Sequence, residues 1–197
     1  MRKIILHMHT TLDNRIANTQ GAFWEPFPWG DAEMACINEQ FRAADTWAMG
    51  RRLYEAVVPW WDTVARGEAP GDIADISEAD REFAQILAGM TKVVFSRTLA
   101  PASDRVVIHG DLAAELGALK RRDGRTIMLS CGPAALAPLA ATPGLIDEYL
   151  IVVHPAVLSD GPQLFGDMTT DLGFRLIDGK IFQGGCAVLR YEPLARP

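Results

Sequence analysis

The feature that most constrains this chain is a repeated alternation of short apolar runs with stretches whose apolar residues fall at helical spacing. The runs are Lys3 to Met8, Trp47 to Met49, Val93 to Phe95, Val106 to Ile108, Ile127 to Leu129 and Tyr149 to Val153. A strand such as Tyr149 to Val153 offers no polar position to water. It must be covered on both faces, as in a parallel sheet between helices. The intervening stretches place Met34, Ile37, Phe41 and Ala44 on one stripe, then Phe83, Ile86, Leu87 and Met90, then Leu112, Leu116 and Leu119. Asp31, Ser77 and Asp111 stand where N-caps belong. Arg51 to Val57 reads as a helix. Lys120, Arg121 and Arg122 suit a helix C-terminus, with Gly124 stopping it. Phe174 to Ile177, an Asp178-Gly179 turn and Ile181 onward predict a closing hairpin, because Asp-Gly tolerates positive φ. The sum is a three-layer α/β/α domain with a mixed, mostly parallel central sheet and a C-terminal antiparallel hairpin. In such folds ligands sit beyond the carboxyl ends of the strands.

With 197 residues and no repeat or linker, residues 1–197 read as a single domain able to bury a real core. The net charge of −6 excludes nucleic acid as a natural partner, because phosphate neutralisation needs basic surface. No apolar run approaches a membrane span, and no lysine-rich run suits a membrane surface. The N-terminal apolar stretch is too short for a secretory signal, so the expectation is a cytoplasmic protein. The three cysteines, Cys36, Cys131 and Cys186, form no CxxC pair, which argues against a disulfide framework and a structural zinc site. Isolated cysteines of this kind are small core hydrophobes.

Four stretches fall at strand ends: "TTLDNRIA" from Thr10, "MGRRLYE" from Met49, "FSRTL" from Phe95 and "SCGPAAL" from Ser130. Gly50 lets a phosphate approach the backbone, and Arg51 and Arg52 follow with forked donors. Ser96, Arg97 and Thr98 add two hydroxyls and another guanidinium. Gly132, Pro133 and the small residues after them open a helix N-terminus, whose N–H groups and dipole attract anions. Singly, each stretch reads as an ordinary turn with solvated arginines. Together they outline a site for a ligand with several phosphates.

In order along the chain, "LDNRIA", an aromatic loop, "ADTWAMGRRLYE", "VVFSRTL", "SCGPAALAPLA" and "LIDEYLIVVHPAVLSDGPQLFGD" resemble the dihydrofolate reductase-like superfamily over nearly the whole length. That superfamily includes the reductase domain of the bifunctional riboflavin-biosynthesis deaminase-reductase and many small stand-alone relatives. The resemblance implies a dihydrofolate reductase-like fold, an NADPH cofactor, a small planar heterocyclic or carbonyl substrate, and a homodimer. By position, it implies that Gly50, Arg51 and Arg52 grip the pyrophosphate and the adenosine phosphate. Ser96, Arg97 and Thr98 then wrap the adenosine ribose and its 2′-phosphate. Cys131, Gly132, Pro133, Ala134, Ala135 and Leu136 cup the pyrophosphate, with Asn14 and Ile16 completing the cofactor contacts. Pro133 departs from the family's Gly-Gly. Because a cis bond before proline costs only about 0.5–1 kcal/mol, Gly132–Pro133 is expected to be cis. Asn14 stands where relatives carry glycine, a position asparagine tolerates in the left-handed region. The deaminase signature, H-x-E followed by PCxxC, is missing, so the resemblance is to the reductase half alone.

The substrate end should be built from the first strand's end, the aromatic loop and the next helix. His9 is expected near that pocket. His7 shares its face, and no third ligand makes the two a metal site. Phe23, Trp24, Phe27 and Trp29 either stack on a flat substrate or cover the core. The resemblance to dihydrofolate reductases implies a carboxylate at the first helix, for which Asp31 and Glu33 both qualify, Asp31 being also the expected helix cap. Asp13, of the family's Leu-Asp, is expected to brace the loop beside the active site. Arg15 and Arg42 are candidate cations for a phosphoribosyl group. Hydride transfer needs no protein nucleophile, so the lack of a strong acid–base motif leaves the reductase reading intact. The alternatives are a nucleotide-binding protein without turnover and a structural dimer on the same fold.

Overall fold

The computed structural model describes residues 1–22, 29–71 and 76–195. Its elements follow the order β1 (Ile4–Thr11), α1 (Asp31–Arg42), β2 (Ala44–Gly50), α2 (Arg51–Ala65), α3 (Glu78–Ala88), β3 (Thr91–Phe95), β4 (Arg105–Ile108), α4 (Leu112–Arg121), β5 (Thr126–Ser130), α5 (Pro133–Ala141), β6 (Glu148–His154), β7 (Phe174–Ile181) and β8 (Ala187–Pro193). One eight-stranded sheet runs β4-β3-β2-β5-β1-β6-β8-β7. Every pairing from β4 to β6 is parallel, and β8 lies antiparallel to both its neighbours.

The apolar runs are buried on both faces, as their lack of polar positions requires. Ile5, Met49, Met128, Leu150 and Val152 point into one core with α1, α2 and α3, around Phe41, Trp61 and Phe83. Ile4, Leu6, Ala48, Ile127, Leu129 and Ile151 point into the other, against Leu116 of α4 and Leu136 and Leu139 of α5. Each fully buried side chain of this size contributes roughly 1.5–3 kcal/mol, so the two-sided sheet is the main source of stability.

Helix starts follow two patterns. Ser77 caps α3 in a reciprocal capping box with Asp80, and Asp111 accepts from Ala113 N and Ala114 N to cap α4. In contrast, α1, α2 and α5 start on Gly30, Gly50 and Gly132 with no side-chain cap. Asp31 is therefore the first helical residue and not the N-cap that its position suggests. The α2 helix runs eight residues past Val57, through an exposed Pro59, because the buried stripe Val57, Val58, Trp61 and Val64 continues across it.

The closing hairpin forms, but its turn is not at Asp178-Gly179. β7 passes straight through that pair with an irregularity between Leu176 and Asp178, and Gly179 keeps a negative φ. The chain reverses over 182–186, where Phe182 N donates to Cys186 O at 2.8 Å and Gly185 N to Phe182 O at 2.9 Å. Gly185 supplies the positive φ of 88° that the reversal demands. Two glycines in "QGGC" outcompete Asp-Gly for the turn, and the strands gain register from the longer arms.

Candidate active site

Three adjacent strands end level, and a fourth runs past them. Gly50 of β2 is level with Phe95 of β3 and Met49 with Ser130 of β5, whereas β1 continues beyond Leu6, its last partner to β5, and ends at Thr11, level with His154 of β6. The order β3-β2-β5-β1 therefore sets 96–98, 50–52 and 131–136 side by side along one rim, and the chain after β1 returns to it at Ile16, beside Gly132. The four stretches singled out from the sequence are neighbours in space.

The middle of the rim is open. Gly50 has φ −73° and ψ 152°, and a Cβ placed there would meet nothing within 4 Å. The first N–H groups of α2 face outward without a side-chain cap, flanked by exposed Arg51 and Arg52. Arg51 makes only a 3.4 Å contact with Glu55, and Arg52 and Arg97 form no ion pair among the described residues. At α5 the N-cap Gly132 has φ −76° and ψ 174°, and Pro133 occupies the first helical position. The Gly132–Pro133 bond is trans, contrary to the cis geometry expected from its sequence. The extended ψ of Gly132 feeds a trans proline directly into the helix, where proline's fixed φ and missing N–H are harmless. Ala135 N and Leu136 N both donate to Gly132 O, so Ala134 carries the outward N–H of this turn. The side chains of Cys131 and Leu136 lie in the core, leaving only their backbone to a ligand, and burial pushes the Cys131 thiol up to about 12. Ile16 closes the cradle: its Cδ1 would lie 3.8 Å from a Cβ on Gly132.

At the β3 end, the Ser96 hydroxyl accepts from Thr98 N at 3.2 Å and Leu99 N at 2.9 Å, which fixes the turn and leaves Arg97 and Thr98 exposed. At the β1 end, Asn14 adopts φ 64°, the left-handed geometry expected of it. Asp13 is a brace. Its carboxylate accepts from the Thr11 hydroxyl at 2.6 Å, Arg15 Nε at 3.0 Å and Leu158 N at 3.2 Å. The Thr11 hydrogen bond leads the causes that hold the Asp13 carboxyl below its ordinary range. Arg15 is committed to this brace through Leu158 O and Gly161 O, and Arg42 to Glu82, so neither stands ready for a phosphoribosyl group.

The other face of the rim carries a ring cluster. His9 Nδ1 and His154 Nε2 share a hydrogen bond of 2.9 Å. Trp29 lies 4.7 Å from His9 and 5.6 Å from His154, and His7 stands edge-on to His9 at 5.0 Å. Burial holds the His9 imidazole well below its ordinary value, helped by the neighbouring His7 and His154 rings, and pushes His7 down to about 4. Trp24, Phe27 and Phe23 lie outside the described residues. Asp31 is exposed, whereas Glu33 is buried and folds back over Gly30, whose Cβ would lie 2.9 Å from Glu33 Oε2. Its other oxygen would be 3.4 Å from a Cβ on Gly184, in the 182–186 turn. That turn rests on Pro155, beside His154. His154 is the residue that the sequence did not single out. Its parity with His9 across the β1–β6 register was the missing signal, and register between strands so distant in the chain is not written locally.

A concavity of about 710 Å³ lies at the opposite end of the sheet, between the start of β3 and β4 and the end of α2. Its charges are spent on each other: Asp104 takes the Tyr54 hydroxyl at 2.5 Å and Arg105 at 3.1 Å, and Lys92 donates to Leu87 O. It offers none of the free donors of the rim. Among the described residues no group of three or more potential ligands could hold a metal, and no helix is long and apolar enough to cross a membrane.

A family model described as the RibD C-terminal domain matches residues 2–189. The chain belongs to this family. RibD-type architecture also marks its structural neighbours. A deaminase/5-amino-6-(5-phosphoribosylamino)uracil reductase from Thermotoga maritima superposes on 98% of this chain and 57% of its own, with TM-score 0.67 and 15% identity. A pyrimidine reductase-like protein from Corynebacterium diphtheriae matches 99% of this chain and 93% of its own, with TM-score 0.62 and 13% identity. At such identities the likeness shows the dihydrofolate reductase-like fold. In sequence, the Bacillus subtilis (strain 168) protein "Uncharacterized protein YyaP" is 26% identical over 194 residues, covering 97% of this chain and 95% of its own.

Proposed function

We propose that this RibD C-terminal domain protein is an NADPH-dependent reductase of a small planar heterocyclic or carbonyl substrate. One observation carries the reading: three neighbouring strand ends set two uncapped helix N-termini and the guanidinium groups of Arg51, Arg52 and Arg97 along a single rim. The residues fit the cofactor, since the space a Cβ would fill at Gly50 is open, Arg51 is held only by an exposed contact with Glu55, and Arg52 and Arg97 form no ion pair among the described residues. The pyrophosphate would rest on the N–H groups after Gly50 and Gly132. Arg97 and Thr98 would hold the adenosine 2′-phosphate, and Ile16 would cover the inner end. When bound, the reduced nicotinamide supplies a hydride. Asp13 and Arg15 fix the β1 loop over that end, and Trp29 with its imidazole neighbours forms the apolar wall that excludes water. Family membership and the reductase names of the neighbours support the same reading. Exposed Leu176 and Ile181 on the edge strand β7 support pairing with a second copy.

Titration of the purified protein with NADPH and NADH, read by nicotinamide fluorescence and thermal melting, tests the proposal. Micromolar NADPH binding with much weaker NADH binding is the expected result. Failure of both to bind would overturn it.

A further inference from the structure

Burying two imidazoles beside a third, half-buried one is expensive when aliphatic side chains would pack as well. His154 is fully buried, His7 nearly so, His9 half-buried, and among the described residues His7 Nε2 has no hydrogen-bond partner. The cluster sits at the carboxyl ends of β1 and β6, facing the α1 side, next to the rim assigned to the cofactor. Its centre is a directed pair: His9 Nδ1 is engaged by His154 Nε2 at 2.9 Å, so Nε2 of His9 is the nitrogen that His154 does not hold. Trp29 pins the pair from the α1 side at 4.7 and 5.6 Å, and Pro155 with the 182–186 turn backs His154.

On this geometry, and resting on the reductase reading above, we propose that His9 is the proton donor to the substrate heteroatom, with His154 as the residue that positions it. The substrate class is a planar ring imine or ketone. As the electron pair from the reduced nicotinamide reaches the carbon of the C=N or C=O bond, the π pair moves onto the heteroatom. A new N–H or O–H bond forms there as the Nε2–H bond of protonated His9 breaks, which leaves His9 neutral with its Nδ1–H held by His154 Nε2. Water then returns one proton to His9 Nε2. One hydride and one proton are consumed per turnover, which balances the reduction.

Among the described residues, the rings facing His9 include His7 on its own strand, His154 on β6 and the uncharged Trp29 at the entry of α1. Around the cluster stand Glu33 of α1 and Cys186 of the hairpin, the latter a thiol that burial pushes up to about 11. Burial and the like charge of two imidazoles make a protonated His9 a strong acid. Its protonated fraction falls tenfold per pH unit above its own value.

Two measurements test the proposal. In the wild-type protein without ligand, ring 15N NMR should show His9 titrating below 6.5, coupled to His154. In His154→Gln, which keeps a hydrogen-bonding atom near Nε2 but loses the charge, His9 should titrate at higher pH. Independent titration of the two near 6.5 would overturn the proposal. NADPH consumption is then followed with 7,8-dihydropterin and isatin as the first planar imine and ketone probes. Wild type should lose kcat/KM as pH rises, His154→Gln should shift that limb upward, and His9→Gln should fall at least 100-fold with its NADPH Kd unchanged. A His9→Gln enzyme with the wild-type rate and pH profile would overturn the assignment. NADPH binding without consumption of either probe would overturn the proton-donor role alone. Absence of NADPH binding would instead overturn the reductase reading.

Discussion

At the amino end of the sheet, Arg2 pairs with Asp45 and donates to Thr46 Oγ1 at 2.6 Å and Arg125 O at 2.6 Å. Lys120 reaches Asp147, Gly144 O and Leu145 O, and Glu148 holds both Lys3 and Arg190. Burial pushes the Glu148 carboxyl upward, yet its two cationic partners outweigh that and leave it below its ordinary range. At the carboxyl end, Arg52 and Arg97 have no such partners among the described residues, and three helices begin on bare glycine. The same residue types are tied down at one end and held open at the other. Paired charges at the amino end stabilise the fold. Unpaired donors at the carboxyl end contribute little to stability and keep their capacity for a ligand.

The widest separation of the two ends should come from Lys120→Met. It strands Asp147 and two carbonyls and should cost about 2–4 kcal/mol in denaturant unfolding, while NADPH affinity of the folded protein stays within about twofold. Acid should act next. His7 is neutral in the fold, with its value lowered from 6.5 to about 4, so the stabilisation it carries is complete above pH 6.5 and drains away as pH falls toward 4. Unfolding at stepped pH should show a loss of about 3 kcal/mol across that window. A flat profile would mean that the ring is hydrated.

Arg97→Ala should leave stability within about 0.5 kcal/mol. Its NADPH affinity should weaken by about 1.5–3 kcal/mol, with NADH unchanged, if the guanidinium meets the 2′-phosphate. The smallest effect is the sharpest in sign. Gly50 has a φ and ψ that alanine accepts and open space for a Cβ, so Gly50→Ala should stabilise by about 0.4–1 kcal/mol. It should also weaken NADPH binding, because the methyl group fills the approach of the phosphate. Gain of stability with no loss of affinity would place the ligand elsewhere.

Most of the fold was legible because its signals are local. Tyr149 to Val153 declared a two-sided strand, and Ser77 and Asp111 declared their helices. The strand-end stretches were legible as ends of parallel strands, and their adjacency followed from the parallel order. What failed depended on competition or distance. Asp178-Gly179 lost the turn to Gly184-Gly185 because strand register, not turn propensity, decided the length of the arms. Asp31 looked like a cap because its chemistry suits one, but Gly30 holds that position. The cis bond was inferred from its low cost at Gly132–Pro133, yet a trans proline enters α5 without strain. His154 and the burial of Glu33 needed the sheet to be assembled first.

The reversal at 182–186 also sets a clock. Its tip touches Glu33, Gly30 lies under the same carboxylate, and Gly185 abuts Pro155, so the tip and the wall of the ring cluster are one mechanical unit. Among the described residues, two backbone hydrogen bonds close that tip, Phe182 N to Cys186 O and Gly185 N to Phe182 O. The exchange lifetime of the Phe182 and Gly185 amide protons in heavy water would then report how often the cluster is uncovered. That frequency is an upper limit on how fast anything can enter from that side.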